Sequence, residues 1–94
     1  MDIASIHNTY EKSVFAAVHE MAENFPHVLR NPDMLADIAC VALNRLPPRY
    51  IRHDVDFAFF QTARERTDCE RSISEAVEFA FAFVQARNAM KARA

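Results

Sequence analysis

The stretch Val41-Ala42-Leu43-Asn44-Arg45-Leu46-Pro47-Pro48-Arg49-Tyr50-Ile51 decides how this chain is read. A helix-forming run meets two prolines here. Pro48 pushes Pro47 out of the helical region, and neither ring supplies an N–H. A helix must therefore end near Leu46, and the chain must leave it as a stiff extended segment. Within residues 44–52 stand three arginines (Arg45, Arg49 and Arg52), the amide of Asn44 and the phenol of Tyr50. Guanidinium groups bind phosphates bidentately and stack on flat ring systems, and Tyr50 adds a second stacking plane. Rigid backbone flanked by such side chains suits a planar or anionic ligand. The bland alternative is that these arginines pair with Glu11, Asp54 and Asp56 at the surface and that Tyr50 belongs to the core. From the residues alone the two readings stand even.

Upstream, Asn31-Pro32-Asp33 opens the helix that the prolines close: a capping amide, proline at the first helical position and a carboxylate at the positive end of the dipole. Met34, Leu35, Ile38, Val41, Ala42 and Leu43 wrap more than half of this helix, so it is expected at the centre of the fold. Before it, Asn8 with Glu11 reads as a capping box starting a first helix. Ile6, Tyr10, Val14, Ala17 or Val18, and Met21 then recur at helical spacing, and the helix ends near Asn24 ahead of Pro26. Phe25, Val28 and Leu29 pack a short loop back on the core.

Downstream, Val55, Phe57 and Phe59 alternate with Asp54, Asp56 and Ala58, the period of an extended strand with no evident partner in the chain. Thr62 with Glu65 is a second capping box and begins the longest helix, reaching about Arg87 or Met90. Its first half is charged, whereas Phe79-Ala80-Phe81-Ala82-Phe83-Val84 is apolar all round. That places the second half in a subunit interface.

Ninety-four residues make one domain, 1–94, with a single modest core. An apolar fraction of 51% exceeds what so small a core hides, which again points to association. A net charge of −2 excludes a strongly basic nucleic-acid binder, so no DNA partner is expected. No apolar run approaches a membrane span, and the N-terminus carries no export signal, so a cytoplasmic protein with two free thiols is expected. Glycine is absent altogether. Phosphate-cradling loops and primed hairpin turns need glycine, so a Walker loop and a dinucleotide fingerprint are excluded.

Catalytic and metal chemistry find little support. Cys40 and Cys69 stand alone, with Cys40 expected as a buried thiol and Cys69 half-exposed, and the four histidines show no ligand spacing. The serines lack a histidine–carboxylate frame, and the pairs Asp33/Asp37 and Asp54/Asp56 read as solvated faces or caps. No enzyme, no metal and no cofactor are expected.

Leu43-Asn44-Arg45-Leu46-Pro47-Pro48-Arg49-Tyr50, preceded by Asn8-x-x-Glu11-x-x-Val14, resembles the late competence protein ComFB family. The likeness runs from about residue 7 to residue 84, and Asn-x-Leu-Pro-Pro-x-Tyr is its specific part. It implies a small bacterial helical domain that forms homodimers and catalyses no reaction. Several members are similar to receptors for cyclic dinucleotides, above all cyclic di-GMP, with effects on motility, competence or pili. Such a ligand offers two guanines to stack and two phosphates to neutralise. The implied contacts are Arg45, Arg49, Tyr50 and Arg52, with Asn44 and Asn8 as polar partners. One departure stands out: many members carry a cysteine cluster ahead of the second helix, in some of them holding zinc. Residues 25–37 contain no cysteine here, so zinc is not carried over. The expectation is an all-α domain of three main helices with a short extended segment, a homodimer acting on an unidentified downstream protein. A pure protein–protein adaptor without a small ligand is the rival.

Overall fold

The computed structural model describes residues 5–47, 50–52 and 62–93. Helices α1 (Glu11–Ala22), α2 (Pro26–Leu29), α3 (Pro32–Arg45) and α4 (Ala63–Arg93) make an all-α architecture. A two-residue antiparallel ladder joins β1 (His7–Asn8) to β2 (Tyr50–Ile51), with His7 opposite Ile51 and Asn8 opposite Tyr50.

The local signals at the helix ends act as expected. Asn31 caps α3, its side chain accepting from the Met34 N–H at 3.1 Å, and Pro32 follows at the first helical position. A cap of this type stabilises by about 1 kcal/mol. At the other end Leu46 turns extended (φ −92°, ψ 144°), where the prolines require it. Thr62 and Glu65 form the reciprocal box at the start of α4: Glu65 N–H donates to Thr62 Oγ1 at 3.1 Å, and Thr62 N–H to Glu65 Oε2 at 3.5 Å. Helix α4 runs on to Arg93, a turn beyond the expected end. At about 1.5 Å per residue its 31 residues span about 46 Å, matching the 47 Å long axis of the molecule.

Three expectations need correction. Asn8 does not cap α1; it lies in β1, and its Oδ1 accepts the Tyr10 N–H at 3.0 Å. Pairing with Tyr50 holds residue 8 extended, so the helix starts later, behind Tyr10. The segment after Pro26 is a single helical turn, α2, rather than a loop, because that proline pre-sets the first helical φ. Cys40 is exposed, not buried. It lies 200° around α3 from Ile38, one of the residues that face the core, and Ala39 and Ala42 complete that stripe. Cys69 is half-buried as expected, its Sγ 3.7 Å from the Tyr10 hydroxyl. The expected strand at 55–60 falls outside the described residues.

The core is one cluster. Val14, Val18 and Ala22 of α1, Val28 of α2, Ile38 and Ala42 of α3, and Ala76, Val77, Ala80, Phe81 and Val84 of α4 close around it. Helix α3 touches α1, α2 and α4, the central position its wide apolar surface implied. The run 79–84 is divided between two environments. Ala80, Phe81 and Val84 are buried in the chain's own core, with Phe25 against Phe81 at 5.5 Å, while Phe79 and Phe83 face outward. Phe81 is therefore no interface residue.

Phe81→Ala should cost about 3–5 kcal/mol in urea unfolding and Phe83→Ala far less, since only the first opens a cavity. Equal costs would refute the division of the phenylalanine run. In a thiol titration of the native protein, Cys40 should react promptly and Cys69 slowly.

Candidate functional site at the end of helix three

Arg45 lies in the last turn of α3, where a cation complements the negative end of the dipole. Its Cζ sits 3.7 Å from the centroid of the Phe79 ring on α4. Phe79 stacks on Phe83, one helical turn on, at 5.7 Å with the rings inclined by 20°. Arg87 follows, its Cζ 5.6 Å from the Phe83 centroid and its Nη2 3.6 Å from Asp37 Oδ2 on α3. Guanidinium, ring, ring and guanidinium thus form a ladder along the seam between α3 and α4. Contacts of this kind are worth about 0.5–1 kcal/mol each at exposed sites. Arg87 is balanced by a carboxylate. Arg45 forms no ion pair among the described residues, so its charge remains available.

Beside Arg45 a cleft of about 180 Å³ opens between Leu46 and Pro47 on one side and Ser72, Glu75 and Ala76 on the other. Pro47 fixes the wall, Ser72 offers a hydroxyl, and Glu75 sets one negative charge at the lining. The cleft has room for one nucleobase or one phosphate group.

The remaining sequence-derived candidates separate. Asn8 and Tyr50 are brought opposite one another in the β1–β2 ladder, and Tyr50 is 66% exposed, which excludes its assignment to the core. Arg52 and Asn44 are exposed, and neither side chain bonds to another described residue. Arg49 lies outside the described residues. The cleft is lined by Arg45 without Tyr50 or Asn8, so the described candidates form two neighbourhoods, a cation–aromatic seam and a short extended ladder. Sequence reasoning missed Phe79, Phe83 and Arg87 as companions of Arg45. The available signal was the four-residue spacing of Phe79, Phe83 and Arg87, which puts them on one face of a helix.

Among the described residues no group of three or more His, Cys, Asp and Glu side chains could hold a metal ion. No described helix is long and apolar enough to cross a membrane.

An all-helical domain with a proline-terminated central helix and an arginine at its exit defines a class of small helical proteins without a glycine-built nucleotide loop. The family model for late competence development protein ComFB matches residues 7–88, and the chain belongs to that family. Among curated proteins none matches it.

Arg45→Ala should lower stability by no more than about 1 kcal/mol, the value of its ring contact. A loss of several kcal/mol on urea unfolding would mark Arg45 as a structural residue rather than one held ready for a ligand.

Proposed function

We propose that this protein is a non-catalytic receptor for a cyclic dinucleotide, with cyclic di-GMP the first candidate, acting as a homodimer in the bacterial cytoplasm. The observation that carries the reading is Arg45: a guanidinium held 3.7 Å over the Phe79 ring, without a carboxylate partner among the described residues, in the lining of a proline-walled cleft. Contact with a ring face leaves guanidinium N–H groups able to bond a phosphate or a guanine. Because the cleft takes only one base or phosphate, the rest of the ligand would have to extend beyond it to the separate β1–β2 neighbourhood. Tyr50 and Arg52, with Arg49 between Pro48 and Tyr50 in the sequence, supply further stacking and charge, and Asn44 and Asn8 supply polar contacts. No cofactor, metal or hydrolytic step enters the reading.

The dimer seam follows from α4. Phe79, Ala82, Phe83, Ala86 and Met90 are all exposed and fall on one side of the helix, with Met90 at 72%. An apolar stripe at this spacing suits a second helix of the same kind. On this reading two copies of α4 pair antiparallel about Phe83. The nucleotide cleft then lies next to the seam, so that ligand and pairing influence each other. Output passes to an unidentified downstream protein.

Calorimetry with cyclic di-GMP should show binding to the wild type and an affinity at least about tenfold lower for Arg45→Ala, as loss of a charge-assisted contact requires. Absence of heat from the wild type with any cyclic dinucleotide would leave the rival, an adaptor without a small ligand. Phe83→Glu should convert the dimer to a folded monomer by light scattering; an unchanged dimer removes α4 from the interface.

A further inference from the structure

On the other flank of α4 a second depression runs between α1 and α4, with a volume of about 440 Å³, more than twice that of the cleft beside Arg45. Val77, which lines it, and Phe79, in the cation–aromatic seam, point about 160° apart around α4 at 100° per residue. The two surfaces are separate.

The groove has an apolar floor and an acidic rim. Ala17 and Met21 lie one turn apart on α1, and Ile73 and Val77 one turn apart on α4, giving an apolar ridge from each helix, with Ser13, Asn24 and Ser74 also in the lining. Ala17, Met21 and Ile73 are only partly buried against the core beneath them. Glu20, Glu70 and Glu78 stand along the edges, no lining residue is a cation, and none of the three carboxylates is ion-paired among the described residues. Three negative charges beside partly buried apolar side chains repel nucleic acid and anionic lipid, and they attract cations.

We infer that this groove is the docking site for a basic amphipathic helix of a partner protein. The partner would lay apolar residues at i, i+3 or i+4, and i+7 between the two ridges and carry Lys or Arg on either side to meet Glu20, Glu70 and Glu78. Two ridges with a one-turn repeat fit a third helix better than an extended strand, whose side chains repeat every two residues. Met21, unbranched and polarizable, adapts the floor to the side chain it receives. Charge complementarity gives register and encounter rate, while the apolar floor supplies contact area. The inference stands whether or not a cyclic dinucleotide binds at Arg45. If both hold, one molecule presents a ligand face and an output face on opposite flanks of a single helix.

The probe is a synthetic helix of roughly fifteen residues with leucines at the spacing above and lysines elsewhere. Its controls are a scrambled peptide of the same composition and a Leu/Glu analogue. Fluorescence anisotropy should show binding of the Leu/Lys helix alone, weakened by added salt. The affinity should fall at least about tenfold in the variant Glu70→Lys/Glu78→Lys and by less in Glu70→Gln/Glu78→Gln. The glutamine variant keeps the test open should the double reversal fail to fold. Amide shifts on titration should gather at Ala17, Met21, Ile73 and Val77. Equal binding of the scrambled or Leu/Glu peptide, an unchanged affinity in both folded variants, no binding at all, or shifts confined to Phe79 and Phe83 would each overturn the proposal. So would loss of self-association in the glutamine variant by light scattering, because a second copy would then be the occupant.

Discussion

The fold depends on one narrow stripe of α4: Ala76, Val77, Ala80, Phe81 and Val84. These five buried positions repeat at helical spacing and meet α1 on one side and α3 on the other. Burying a side chain the size of Phe81 or Val84 contributes about 1.5–3 kcal/mol. In a chain of this size that is a large share of the net stability, which for most proteins is only about 5–15 kcal/mol. The alanines of the stripe let the neighbouring helices approach closely, and Phe81 fills the space where Phe25 and α2 close the end. Because the stripe is narrow, both flanks of α4 remain available. One flank carries the stacked phenylalanines with Arg45 laid against them, the other the acidic groove.

Much of this organisation was legible in the sequence because it is encoded locally. Asn31 with Pro32, Thr62 with Glu65, and the prolines after Leu46 each act within one turn of chain, and each helix end stands where those residues require it. The central position of α3 was legible too, since its apolar residues cover too much of the helix for a single neighbour. Arg45 stood out as a candidate, but its setting did not. Whether it met a carboxylate or a ring depended on how α3 crosses α4.

Two misreadings have a common origin. Asn8 three residues before Glu11 satisfies the pattern of a capping box, yet Tyr50, far along the chain, pairs with it and holds it extended. A long-range contact overrode a local preference. In the run 79–84, alternating phenylalanines suggested a surface apolar on all sides. Helical geometry puts Phe81 about 200° from Phe79 and Phe79 only about 40° from Phe83, so one ring faces the core while two share the outer flank. Those angles follow from residue spacing, but the side that the core takes is set by how α1 and α3 pack against α4. Exposure of Cys40 has a related cause: it stands among apolar residues in the sequence, but 200° around α3 from Ile38, on the side away from the core.

The backbone has a further property with consequences for substitution. Among the described residues no non-glycine residue has a positive φ, and the chain contains no glycine. Each described bend is made from ordinary conformations open to nearly every amino acid. Steric strain at the described turns therefore does not dictate residue identity: an exchange there is judged by side-chain bonds and charge, not by whether the main chain can tolerate a Cβ. Apart from the proline exit after Leu46, these connections should accordingly tolerate exchanges that keep their side-chain bonds and charge.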